Sequence, residues 1–178
     1  RPASAAARFG TRFHEWVLRH FQSPTLLDPD DLDTDDVTDD IELRQLCEAF
    51  AAGQFAETVP AALEASFSLL VGASVIRGRI DAAYFASPVT PPGMDALVVD
   101  WKTGASPADP LQLALYRLAW AELNNLELDR VAAGFYHVRS DRLQLVTGLP
   151  DRDGVETVVT MLGYPSAEPV VAPLEPIR

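Results

Sequence analysis

The chain has 178 residues, 48% of them apolar and 22% charged, with a net charge of −12. A chain of that size and make-up buries roughly 70% of its unfolded surface in one ordinary core. No stretch approaches the roughly 20 apolar residues of a membrane span, and the single cysteine, Cys47, rules out an internal disulfide, an iron–sulfur cluster or a cysteine-rich zinc site within the chain. The acidic balance argues against a simple nucleic-acid binder, but it is uneven. Nine of the 26 acidic side chains fall in residues 28–42, leaving 14 basic against 17 acidic elsewhere, a net of −3. The opening Arg-Pro-Ala-Ser-Ala-Ala-Ala-Arg has no apolar segment behind it and no initiator Met. This predicts no secretory leader, a piece of a longer protein and, with one thiol, a reducing cytoplasmic setting without a membrane partner.

In chain order, residues 8–21 carry Phe9, Phe13, Trp16, Val17 and His20 near helical spacing and predict an amphipathic helix. Residues 22–39 are rich in Pro and Asp and predict a loop. Within it Asp31, Asp33, Asp35, Asp39 and Glu42 match five positions of a calcium loop. Asp36 stands where that loop needs Gly, and Pro29 denies it an entering helix, so 28–42 is read as a solvated acidic loop. Residues 40–53 predict a second helix with Cys47 in its apolar face, ended by Gly53, and another helical turn is expected at 54–58. The period then shortens. Leu63 to Val71, Ser74 to Ala86 and Met94 to Trp101 predict three strands of a meander. Residues 108–125 predict a helix with Pro110 in its first turn. Residues 130–138 and 142–147 predict two strands and 151–163 a last helix, with a Pro-rich extended tail from Pro165. The order is αα-βββ-α-ββ-α, an α/β chain with a mixed sheet flanked by helices. Residues 1–164 form the domain and 165–178 the tail.

Thirteen of the 14 cationic side chains are Arg; the one Lys is Lys102. It follows Leu97-Val98-Val99-Asp100-Trp101, a buried-type strand. Alternation therefore points Asp100 and Lys102 to one face and Trp101 to the other. A strand-end salt bridge is the plain alternative for this pair. The preceding strand sets Arg77, Arg79 and Asp81 on one face. If the two strands pair antiparallel across the 87–93 turn, Asp81 approaches Asp100. Two carboxylates forced together repel unless a cation lies between them, and a divalent ion with oxygen ligands suits that position. Gly78 marks a bend or a close approach. Gln112 and Tyr116, four residues apart, share a helix face, and His14 lies on the first helix.

Together, Gly10-x-x-Phe13-His14, Glu64, Gly78-x-Ile80-Asp81, Asp100-Trp101-Lys102-Thr103-Gly104 and Gln112-x-x-x-Tyr116 resemble, in order over residues 8 to 140, the RecB-family nuclease domain of the PD-(D/E)xK superfamily. The wording Gly-Thr-x-Phe-His-x-Trp-Val and Val-Val-Asp-Trp-Lys-Thr-Gly is most similar to the C-terminal nuclease of actinobacterial AdnB-type helicase–nucleases. The cysteine quartet of the iron–sulfur members is absent. The resemblance implies the PD-(D/E)xK fold and Mg²⁺- or Mn²⁺-dependent, exonuclease-type hydrolysis of DNA. It also implies an upstream helicase motor that delivers single-stranded ends, a sister helicase–nuclease subunit, and a role in resecting double-strand breaks. It implies Asp81 and Asp100 as metal ligands, joined by His14 and the Trp101 carbonyl. Lys102 acts on the attacking water, Gln112 and Tyr116 position the strand, and Glu64 helps position the site. The alternative is an inactive nuclease fold that serves as a DNA-binding or scaffold module; degenerate members of such families usually lose an acidic residue or the Lys, and here all stand in place.

Overall fold

The computed structural model describes residues 5–22, 37–104 and 108–163. In order they form α1 (Ala5–Gln22), α2 (Val37–Ala51), β1 (Ala62–Val71), β2 (Ser74–Phe85), β3 (Ala96–Lys102), α3 (Pro110–Asn124), β4 (Val131–His137), β5 (Arg142–Leu145) and α4 (Arg152–Met161). Single 3₁₀ turns at 128–130 and 138–140 bracket β4. The expected order αα-βββ-α-ββ-α holds element by element. The acidic loop through residue 36 and the tail from Pro165 lie outside the described residues.

Two local expectations need correction. Helix α2 begins at Val37, so the end of the supposed 28–42 loop is helical. Acidic residues in a first turn are favoured by the positive end of the helix dipole, and a run of Asp therefore does not by itself mark a loop. Residues 54–58 form hydrogen-bonded turns and not a helix, with Ala56 N–H donating to Gly53 O and Thr58 N–H to Phe55 O.

The sheet runs β1-β2-β3-β4-β5 and is mixed. β1, β2 and β3 are antiparallel neighbours, β3 and β4 are parallel, and β5 returns antiparallel. The parallel pair requires a crossover, which α3 supplies. Helices cover both faces. On one, Leu113, Leu118 and Trp120 of α3 and Val155 and Val159 of α4 pack on Ile76, Ile80, Val98 and Phe135. On the other, Phe13, Trp16 and Val17 of α1 and Leu43, Leu46 and Phe50 of α2 pack on Tyr84, Leu97, Val99 and Trp101. Each such side chain contributes about 1.5–3 kcal/mol by leaving water. Cys47 is buried in the second layer, and burial pushes its thiol up to about 12, so it is packing material. Trp101 is locked between Phe50, Phe55 and Tyr136, with ring centroids 5.4–5.6 Å apart. That anchor fixes the end of β3 and so aims Asp100 and Lys102 at the opposite face.

Candidate active site

The β1–β2 ladder keeps one register, yet its pleat slips at one rung. Leu63 and Ala82, a bonded pair, face the α1–α2 layer, whereas Ala65 and Ile80, two residues further along, face the α3–α4 layer. Strict alternation would put both pairs on one face. The rung between them is Glu64 and Asp81, and Glu64 has φ +50, a left-handed backbone that costs a side-chain-bearing residue of order 1 kcal/mol or more. The expected shared face of Arg77, Arg79 and Asp81 therefore holds only as far as Arg79. Arg77 and Arg79 are exposed, while Asp81 is 8% exposed and is reached from both layers.

The β2–β3 ladder ends at Ala82–Val99. The next rung would be Asp81 opposite Asp100, so antiparallel pairing brings the two carboxylates to the point where the strands part. In place of a ladder bond, Trp101 N–H donates to Asp81 Oδ2 at 2.9 Å. Gln112 Nε2 donates to the Tyr116 hydroxyl at 2.9 Å, and that hydroxyl donates a long 3.5 Å bond to Asp81 Oδ1. Helix α3 is set for this by Asp109, whose side chain accepts from Leu111 N–H as the N-cap.

From the α1 side, His14 Nδ1 lies 2.6 Å from Glu64 Oε1 and its Nε2 lies 3.9 Å from Asp81 Oδ2. A carboxylate on Nδ1 holds the proton there and leaves the Nε2 lone pair facing Asp81, the arrangement that usually orients a histidine toward a metal. Arg79 Nη1 donates to the other Glu64 oxygen at 3.2 Å. On β3, Lys102 Nζ lies 2.8 Å from Asp100 Oδ2 and 5.1 Å from the centre of the Phe135 ring. That carboxylate oxygen is buried and receives no well-directed hydrogen bond, so the contact is a close ion pair that leaves acceptor capacity unused.

The electrostatics follow. Burial pushes Asp81 up to about 7; the Asp100 and Glu64 charges push the same way, against the pull of His14 and the Trp101 N–H. Burial opposes charge on His14, but its bond to Glu64 and the charges of Asp81, Glu64 and Asp100 outweigh it and raise its pKa. Burial would raise Glu64, yet the His14 and Arg79 contacts hold it low. Burial raises the Tyr116 hydroxyl well above the ordinary phenol range, with Asp81 and Asp100 adding to the shift.

One ligand atom from each of His14, Glu64 and Asp81 lies within 4.8 Å of the others. Asp100, whose Oδ2 lies 2.8 Å from the Lys102 ammonium, is outside that trio; the trio itself, one imidazole and two carboxylates, suits a hard divalent cation that accepts one imidazole. The Trp101 side chain is turned away into the core. That is the face strand alternation predicts for it, and the side chains of His14, Glu64, Asp81, Asp100, Lys102, Gln112 and Tyr116 gather at one end of β2 and β3. Arg79 and Phe135 were not expected there. The Arg-x-Arg-x-Asp spacing was a signal for Arg79; Phe135 follows only from the parallel register that sets it opposite Asp100.

Across residues 1–170 the chain matches the sequence pattern of the PD-(D/E)XK nuclease superfamily, whose members are phosphodiesterases that use divalent metals and act on DNA. No curated protein matches it. Since the pattern covers nearly the whole chain, and the five-stranded mixed sheet between helices is the fold it requires, the chain belongs to the PD-(D/E)XK nuclease superfamily.

Proposed function

We propose that the chain is a DNA nuclease module of the AdnB type, the Mg²⁺- or Mn²⁺-dependent part of a cytoplasmic helicase–nuclease that resects double-strand breaks. The observation that carries this reading is the convergence of Asp81, Asp100 and Lys102 where β2 and β3 part, with His14 facing the same point. Asp81, Asp100, the His14 imidazole and the Trp101 carbonyl hold the ion. When bound, the ion supplies charge neutralisation at the phosphoryl group. Glu64 fixes the tautomer and orientation of His14. Lys102 orients the attacking water, favours loss of its proton through the ammonium charge and offsets charge as the leaving oxygen departs. Gln112 and Tyr116 hold the strand against that face. A chain of net charge −12 captures DNA poorly by itself. This supports delivery of single-stranded ends by a helicase motor in the parent protein, working with a sister subunit.

The test is hydrolysis of an end-labelled linear duplex with a single-stranded tail, compared with a covalently closed circle. Metal-dependent loss of the linear substrate with the circle spared supports the reading. Cutting of both at fixed sites would indicate an endonuclease, and binding without cutting a scaffold.

A further inference from the structure

Two clefts open beside the candidate centre, one on each side of Arg79. The first is lined by α1 and contains Gly10, His14, Glu15 and Glu64. Of its two carboxylates Glu64 is tied to His14 and Arg79, which leaves the Glu15 charge to meet anything that enters. The second lies between β2 and the start of α3, with Phe67 and Gly78 in its floor, Leu111, Leu115 and Gln112 in its wall and Arg77 and Arg79 at its rim. Its one lining carboxylate, Asp109, is engaged as the α3 cap. A polyanion reaching the metal ligands therefore meets repulsion from the first side and attraction from the second.

Arg77 and Arg79 differ in their partners. Arg79 is tied to Glu64, which in turn holds His14. Arg77 is exposed and makes no ion pair or hydrogen bond to any described residue. Arg142 on β5 is likewise exposed without a side-chain partner among the described residues, whereas Arg130 pairs with Asp95, Arg152 with Glu122, and Arg117 spans the Leu128, Val131 and Leu149 carbonyls. Two residues along a strand separate the arginine Cα atoms by roughly 6.7 Å, close enough for the two side chains to reach neighbouring phosphates of one strand. Between them Gly78 has no side chain, and a Cβ there would sit 2.5 Å from Phe67 Cζ. The absent Cβ is what lets the ring lie across the strand and form the cleft floor.

Resting on the nuclease reading above, we infer that this second cleft is a nucleotide subsite for the single strand next to the scissile bond. Arg79 takes the phosphate nearer the metal centre, Arg77 takes the next one out, and the base between them lies against Phe67, Leu111 and Leu115. An apolar floor with a cationic rim binds any base by contact and any phosphate by charge, so the subsite is indifferent to sequence. It favours an unpaired strand, because a paired base enters the cleft only by giving up its pairing and stacking.

The test uses a fluorescein-labelled oligodeoxythymidine with the whole chain in Ca²⁺, read by anisotropy over a salt series, alongside cleavage kinetics in Mg²⁺. Arg77→Ala is expected to weaken binding about tenfold at low salt, the loss of one charge-assisted contact. It should make the slope of log affinity against log salt shallower by about 0.7, one single-strand phosphate, and raise KM with kcat retained. Arg77→Lys should keep most of the affinity. Arg130→Ala removes the same unit charge at the far end of the sheet and should leave the slope as it is. If the wild type binds and cuts but Arg77→Ala matches Arg130→Ala in affinity and slope, the subsite is wrong and the nuclease reading stands. If the wild type neither binds nor cuts, the nuclease reading falls and the subsite with it.

Discussion

Lys102 stands where the demands of structure and chemistry meet. Its ammonium is the only lysine amine in the chain, lies 2.8 Å from a buried Asp100 oxygen and rests on the Phe135 ring. Lys102→Ala should keep divalent-metal binding, measured by calorimetry, and lower cleavage by about 10²–10⁴, as for other groups positioned to assist a proton transfer. Lys102→Arg should restore little, because a guanidinium is a larger planar fork where the ammonium is a compact point charge. Cleavage by Lys102→Ala at the wild-type rate would return the pair to a strand-end salt bridge. The raised pKa of Asp81 leads to a second expectation. A carboxyl lifted from 3.8 to about 7 on folding holds its proton more tightly in the native state, so between those values native protein binds more protons than unfolded and stability falls as pH rises. His14, raised above 6.5, acts in the same sense; Glu64, held low, acts oppositely, but only below its ordinary 4.5. Metal-free protein should therefore lose on the order of 5 °C in Tm between about pH 5 and pH 8. Asp81→Asn or saturating Mg²⁺ should flatten the profile, and a Tm that rises over that range would contradict the reading. His14→Ala should need more metal for activity and recover part of it at high Mn²⁺. Equal activity of mutant and wild type at limiting metal would remove His14 from the site. At this scale Asp81, Asp100 and Lys102 were legible because strand alternation and a single antiparallel turn bring them together. Glu64 was legible only through the family resemblance. Nothing in composition signals that a Glu will adopt a positive φ, or that its rung will reverse the pleat.

The elements were legible because their periods are clean and their turns marked. What sequence could not supply was the pairing across large separations. The parallel β3–β4 register is set by α3 packing across the sheet, and it alone puts Phe135 beneath Lys102. A second long-range tie joins the end of α2 to the β4–β5 corner. Asp141 accepts from Gln54 N–H and from the Tyr136 hydroxyl at 2.9 and 2.7 Å, and a Cβ on Gly53 would fall 2.4 Å from that hydroxyl. Gly53→Ala should therefore displace Tyr136 from the aromatic layer that anchors Trp101, costing about 1–3 kcal/mol in denaturant unfolding. A Gly53→Ala protein as stable as wild type would show that the corner yields freely and that Trp101 is held by its other neighbours.

For the whole molecule, charge is the quantity that sequence states outright and structure distributes. The net −12 does not describe the cleft beside β2, where Arg77 and Arg79 face the approach to the candidate centre. Residues 28–36 hold six of the aspartates, and changing all six to Asn would bring the net charge to −6. That should raise affinity for single-stranded DNA modestly at low salt and leave the cleavage products unaltered, since long-range repulsion is screened beyond about 10 Å at 0.1 M salt. Unchanged affinity at low salt would mean the run does not face the strand path. No helix among the described residues is long and apolar enough to cross a membrane.

The central claim is that Asp81 and Asp100 together form a metal-dependent nuclease centre; Asp100 is 4% exposed and stands at a strand end with Oδ2 2.8 Å from the Lys102 ammonium. The most direct measurement is the rate at which wild type and Asp100→Ala degrade an end-labelled linear duplex with a single-stranded tail in Mg²⁺, with a melting curve for each without metal. The account predicts that the variant still unfolds cooperatively, with relief of the Asp81 repulsion opposed by the Lys102 ammonium left without its partner, and that its cleavage is abolished. An Asp100→Ala protein that degrades the duplex at close to the wild-type rate would contradict it.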